Sequence, residues 1–141
     1  MTATVQDIEN AIIAKLQEAL PGLSAEAFPE RPEEYDLLHP VGAVLVQYEG
    51  GTYSGNALSN GIAQIKTLRF SVVTLVRNLR SSDGCYAAMQ AVADALTGFV
   101  IPGTVRPMAV VSERFNTEYD GVWSYVQTVE TSVRIAAQCH Q

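Results

Sequence analysis

Charge is scarce in this chain, and cations most of all. Charged residues make up 17% of its 141 residues, with 9 Lys or Arg against 15 Asp or Glu and a formal net charge of −6. Sequence-independent binding to nucleic acid over a broad surface needs clustered cations that displace counterions, so this balance disfavours it. An anionic membrane surface is disfavoured for the same reason. No apolar run approaches the roughly 18–20 residues of a membrane-spanning helix. Cysteine occurs twice, as Cys85 and Cys139, which suits a reducing compartment better than a disulfide scaffold. Residues 1–7 lack the basic start of a secretory signal. The glycine-rich phosphate loop, the dinucleotide fingerprint and the nucleophile elbow of hydrolases do not occur. None of His39, His140, Cys85 and Cys139 stands at metal-ligand spacing. No catalytic residue, metal or cofactor is therefore expected.

What is present is apolar substance. Hydrophobic residues make up 48%, enough for a buried core in one domain spanning residues 1–141. Val5, Ile8, Ile12, Leu16 and Leu20 recur every three or four positions and predict an amphipathic helix. Thr4 is its N-cap, Asp7 sits in the acidic first turn, and Pro21-Gly22 stops it. Residues 23–27 alternate apolar and polar as a short strand. Pro29, Pro32 and Pro40 bracket an acidic stretch, expected to be a surface loop with at most one helical turn, pinned by Tyr35, Leu37 and Leu38.

Residues 41–48 read as a strand, 49–61 as a long flexible hairpin arm carrying Tyr53, and 63–77 as a second strand, apolar on both faces in its second half. A second helix is expected from a Ser82 or Asp83 cap to about residue 97, with Tyr86, Met89, Val92, Ala93 and Leu96 as its apolar stripe. Residues 105–115 form the next strand, and Asp120-Gly121 marks a hairpin turn. From Trp123 onward one last strand alternates Trp123, Tyr125, Gln127, Val129, Thr131, Val133 and Ile135 on its core face. It is longer than a small domain needs, so its far end is expected to pair outside the domain. The fold class is α+β: two helices on one face of a mostly antiparallel sheet of four to five strands, with a long hairpin arm.

Chemistry has two weak footholds. Cys85 would lie in the first turn of the second helix, where the helix dipole favours a thiolate, but no general base is evident beside it. Glu30, Glu33, Glu34 and Asp36 could supply paired carboxylates, though a proline-rich exposed loop usually just solvates them. Charge asymmetry says more. Residues 61–80 carry Lys66, Arg69, Arg77 and Arg80 and no acid, whereas residues 21–40 carry five acids against Arg31. Opposite patches permit head-to-tail contact between identical copies. The alternatives are ordinary surface mixing of charge and pairing of the two patches within one chain. Glu33, Glu34, Asp36, Tyr53, Lys66, Arg69, Arg77 and Arg80 are thus the expected interface residues.

Several segments, taken in order, carry a resemblance: Leu20-Pro21-Gly22, Arg31-Pro32-Glu33-Glu34-Tyr35, the run from His39-Pro40 to Val46, Leu68-Arg69-Phe70, Asp83-Gly84-Cys85-Tyr86, Leu96-Thr97-Gly98, and the run from Asp120-Gly121 to Tyr125. In these the chain resembles the small proteins encoded just ahead of the tail sheath and tube genes of Mu-like contractile-tailed phages and prophages. That family is itself similar to tail terminators. The resemblance implies a virion tail protein, assembled in the bacterial host cytoplasm, that forms a homo-hexameric ring on the head-proximal end of the tail. Its implied partners are copies of itself, the tail tube protein, the sheath protein as a further candidate, and a head-completion protein. No membrane is involved, and DNA would only pass through the channel. The resemblance implies no enzyme and transfers no site residues. The rival functions are a head-completion or connector protein and, from another class, a small hydrolase or thiol enzyme.

Overall fold

The computed structural model describes residues 1–140. Helix α1 covers Val5–Ala19 and buries Ile8, Ile12 and Leu16. Its start is a capping box: Thr4 Oγ1 accepts from the Asp7 amide at 3.1 Å, and the Asp7 carboxylate accepts from the Thr4 amide at 2.9 Å. The Thr4 amide first, and the Thr4 hydroxyl second, hold the Asp7 carboxyl below its usual pKa. Strands β1 (Ser24–Ala27), β2 (Gly42–Tyr53) and β3 (Gly61–Val76) follow, then helix α2 (Cys85–Leu96) and strands β4 (Ala109–Tyr119) and β5 (Val122–Gln138).

The five strands form one sheet in the order β1-β2-β3-β5-β4. Only β1 and β2 run parallel; the other pairs are antiparallel. Both helices pack on the same face, so the α+β class with two helices on a mostly antiparallel sheet holds. Ile8, Ile12 and Leu16 of α1 and Val92 and Leu96 of α2 meet Val44, Val46, Leu68, Phe70, Val72, Val129 and Val133 in one core. Phe70 is fully buried and packs against Tyr48 with ring centroids 5.3 Å apart. The opposite face is covered at one end, where Phe28, Tyr35 and Leu37 lie over Ala43, Leu45, Val73 and Val126.

Several expectations need correction. The acidic loop contains one 3-10 turn, Pro32–Glu34, and Tyr35 and Leu37 pin it, but Leu38 is 88% exposed and pins nothing. The expected hairpin arm over residues 49–61 is strand at both ends, through Tyr53 and from Gly61. β2 continues to Tyr53 by admitting a bulge between Tyr48 and Gly50, where Gly50 takes φ 145. Only residues 54–60 connect it to β3. Asn56 ties much of this connection: its Nδ2 donates to the carbonyls of Leu58 (2.8 Å) and Gly61 (2.9 Å), and its Oδ1 accepts from the Ala63 amide at 2.8 Å, while Ser54 Oγ accepts from the Ile65 amide at 2.8 Å.

Gly84 is the N-cap of helix α2, with no side-chain cap from Ser82 or Asp83. Asp83 instead accepts from Ser81 Oγ. A side chain at Gly84 would meet the Leu79 carbonyl oxygen at 2.7 Å, so close approach selects glycine there. The buried stripe of α2 is Cys85, Ala88, Met89, Val92 and Leu96; Tyr86 is 44% exposed. β4 starts after Pro107 and runs to Tyr119. Asp120 (φ 52) and Gly121 (φ 80) then close the expected two-residue hairpin. The far end of β5 pairs inside the chain, with Gly61↔Gln138 as the last register partners.

Candidate assembly interface

The expected basic segment does not make a patch. β3 alternates faces and is long: Lys66 and Arg77 lie about 36 Å apart at roughly 3.3 Å per residue. Each cation also has its own neighbour. Lys66 Nζ sits 5.3 Å from the Tyr53 ring and 5.9 Å from the Tyr48 ring. Arg69 lies 4.0 Å from Glu130. Arg80 stands 5.9 Å over the Tyr86 ring. Arg77 donates to the Leu37 carbonyl oxygen at 2.9 Å. One basic residue is therefore engaged by the acidic loop of its own chain. Glu33, Glu34 and Asp36 remain exposed on that loop, with only a solvated Arg31–Glu34 pair at 3.8 Å. Tyr53 is 57% exposed near the end of β2.

The structure assembles a different surface at the β4 edge. Every β4 residue except Val110 is exposed. Phe115 packs edge-on against Tyr125 (5.5 Å) and tilted against Trp123 (6.3 Å), and Tyr86 packs edge-on against Tyr125 (6.1 Å). These four rings form a continuous aromatic ridge between α2 and β4. Trp123 and Tyr125, expected in the core, are half-buried members of it. Beside the ridge lies a cleft of about 350 Å³ lined by Tyr86, Met89, Gln90, Ala93, Glu113 and Tyr125. Its wall is braced by buried Gln127, whose Nε2 donates to the Met89 carbonyl oxygen (3.1 Å) and to Glu113 Oε1 (3.3 Å).

Cys85 is not poised as a nucleophile. Cys85 is fully buried, burial pushes its thiol pKa up to about 11, and its Sγ faces the Trp123 carbonyl oxygen at 3.8 Å. The dipole effect expected at the helix start is thus outweighed by desolvation. His39 uses Nδ1 to accept from the amides of Val41 (3.2 Å) and Gly42 (3.3 Å), a local loop closure. Among the described residues no group of three His, Cys, Asp or Glu could hold a metal ion.

Residues 12–141 match the family model described as Gp37 protein. The chain belongs to the Gp37 protein family. Among solved structures, a chain of the virion of a native gene transfer agent particle shares the Gp37 chain's fold with a TM-score of 0.56. The two are 15% identical, and the match covers 95% of this chain and 100% of that one. No curated protein matches the sequence.

Sequence reasoning missed the aromatic ridge of this Gp37 chain. The signal was Phe115 and Tyr119 standing among the otherwise polar residues 112–120. Phe115 meets Tyr125 only through the β4–β5 register, in which the two are direct partners.

Proposed function

We propose that this chain is a structural virion protein of phage-type particles, a tail terminator. It forms a ring on the head-proximal end of the tail tube, stops further subunit addition and presents a surface for the head. One observation carries this reading: the fold matches a virion chain along that chain's whole length, in a member of the Gp37 family. The chemistry agrees. Capping needs complementary surfaces rather than a nucleophile, and the chain offers open strand edges with exposed apolar side chains instead of a reactive cleft. The ring is built from copies of this chain, contacts the tube, and leaves a channel whose acidic walls let DNA pass without holding it.

Electron microscopy of particles assembled without this protein tests the reading. Tails of uncontrolled length that do not join heads are expected. Tails of uniform, normal length that still join heads would overturn it. A chain that binds tail-less heads but not purified tail ends would make it a head-completion protein.

A further inference from the structure

The two ends of β5 differ in charge and share a feature that soluble surfaces usually avoid. At one end, residues 111–121 carry Glu113, Glu118 and Asp120 against Arg114. There Val111 is 41%, Phe115 52% and Tyr119 81% exposed. At the other end, residues 50–67 and 131–140 form a ribbon from β2, β3 and β5 that holds Lys66 on one face and Arg134 on the other and no carboxylate, while Arg69 lies beyond it, paired with Glu130. There Tyr53 is 57% and Leu58 49% exposed. Along β5 the register places Lys66 opposite Val133, Glu113 opposite Gln127 and Glu118 opposite Trp123, so the lysine stands about 20 to 33 Å along the strand from these carboxylates at roughly 3.3 Å per residue. One chain therefore cannot fold its basic ribbon back onto its own acidic edge.

Both ends also leave strand edges open. No strand lies outside β4 in the sheet order. On the outer edge of β5 the Arg134 carbonyl oxygen accepts from Thr2 Oγ1 at 3.5 Å, and among the described residues no strand pairs with that edge from Ile135 onward. The β4 edge is interrupted by bulges near Val111 and Asn116, which limits a continuous backbone ladder and gives side chains the larger part in any contact. The cleft beside the aromatic ridge sets a carboxylate, Glu113, between the rings of Tyr86 and Tyr125, with Arg80 of the same chain over Tyr86 and Gln127 donating to Glu113.

We propose that the basic ribbon of one copy docks on the acidic β4 edge and aromatic ridge of a second copy. The occupant of the edge is thus this same chain. Opposite charge and exposed apolar side chains on both ends argue for it. The two surfaces differ, so the contact is head-to-tail, and a head-to-tail contact closes into a ring when its rotation permits. This deepens the end-capping reading and rests on its need for a ring; the contact is one that free copies make in solution.

The experiment uses two variants that each spoil one surface, Lys66→Glu with Arg134→Glu on the ribbon, and Phe115→Lys with Tyr119→Lys on the edge. Masses are read by sedimentation velocity. The unmodified chain is expected to associate, and to do so about tenfold or more weakly when salt is raised from about 0.05 to 0.5 M. Each variant alone is expected to stay monomeric. Mixed in equal amounts, they retain one intact edge and one intact ribbon between them. A heterodimer that grows no further is expected. An unmodified chain that remains monomeric up to about 1 mM, a mixture with no heterodimer, or a variant that associates like the unmodified chain would each overturn the proposal. If the Phe115 change disturbs folding, as thermal melting would show, Val111→Lys with Tyr119→Lys replaces it. Tail length in particles reports on end-capping separately, so either idea can fail without the other.

Discussion

Arg77 Nη2 donates a hydrogen bond of 2.9 Å to the carbonyl oxygen of Leu37. This bond ties the acidic loop to the end of β3. It holds Tyr35 and Leu37 over Leu45 and Val73, the apolar part of the sheet face that carries no helix. Arg77→Ala should cost about 1 kcal/mol, the net value of one hydrogen bond from a partly solvated charge. Its local effect should be larger than its global one. Limited proteolysis should cut within residues 28–38 several-fold faster, with little change in the midpoint of thermal unfolding.

Thr74 lies between Val44 and Tyr125 in the sheet and is fully buried, yet its Oγ1 has no hydrogen-bond partner. A buried hydroxyl without a partner costs its desolvation and returns nothing. Valine has nearly the same shape and suits a central strand. Thr74→Val should therefore raise stability by about 1 kcal/mol, read from chemical denaturation at an unchanged slope. A loss of stability would mean that the hydroxyl has a partner in solution.

Cys85 and Cys139 should differ sharply toward a thiol reagent. Cys139 is exposed and Cys85 is buried. In the native protein at neutral pH one thiol equivalent should react quickly and the second only on unfolding. The raised pKa of Cys85 has a further consequence for stability. The folded state keeps its thiol protonated to about pH 11, whereas the unfolded thiol ionises near its usual value of about 9. The contribution is whole below pH 9 and is lost as pH rises toward 11. Cys85→Ala should flatten that decline while costing some packing at pH 7.

Much of this architecture was legible in the sequence because its cause is local. The three-and-four spacing of Ile8, Ile12 and Leu16, with Thr4 and Asp7 ahead of it, specifies α1 and its cap without tertiary help. Asp120-Gly121 specifies the β4–β5 hairpin in the same way. Gly50-Gly51 misleads because a glycine pair serves a bulge as readily as a turn, and only pairing with Leu68 and Arg69 decides between them. The surface features were less legible for a related reason. Neighbours in sequence face opposite sides of a strand, so the cations of residues 61–80 scatter. The aromatic ridge gathers residues from α2, β4 and β5, and becomes visible only once the sheet order sets β5 between β3 and β4.

The ribbon tip offers a test in which order, rather than charge, is varied. Asn56 closes residues 54–60 by bonds that need both ends of its amide: Nδ2 as donor to Leu58 and Gly61, and Oδ1 as acceptor from Ala63. Asn56→Asp keeps the size and the acceptor but removes both donated bonds and sets a negative charge against two carbonyl oxygens. The residues affected are mostly exposed, so unfolding as a whole should shift by less than about 1 kcal/mol. Amide exchange in residues 57–63 should nevertheless quicken by tenfold or more, since these bonds open without disturbing the core. If the ribbon docks on a second copy, the same variant should also associate more weakly, because an unordered tip must be ordered on binding. Unchanged exchange in residues 57–63 would show that the β2–β3 pairing alone holds the tip.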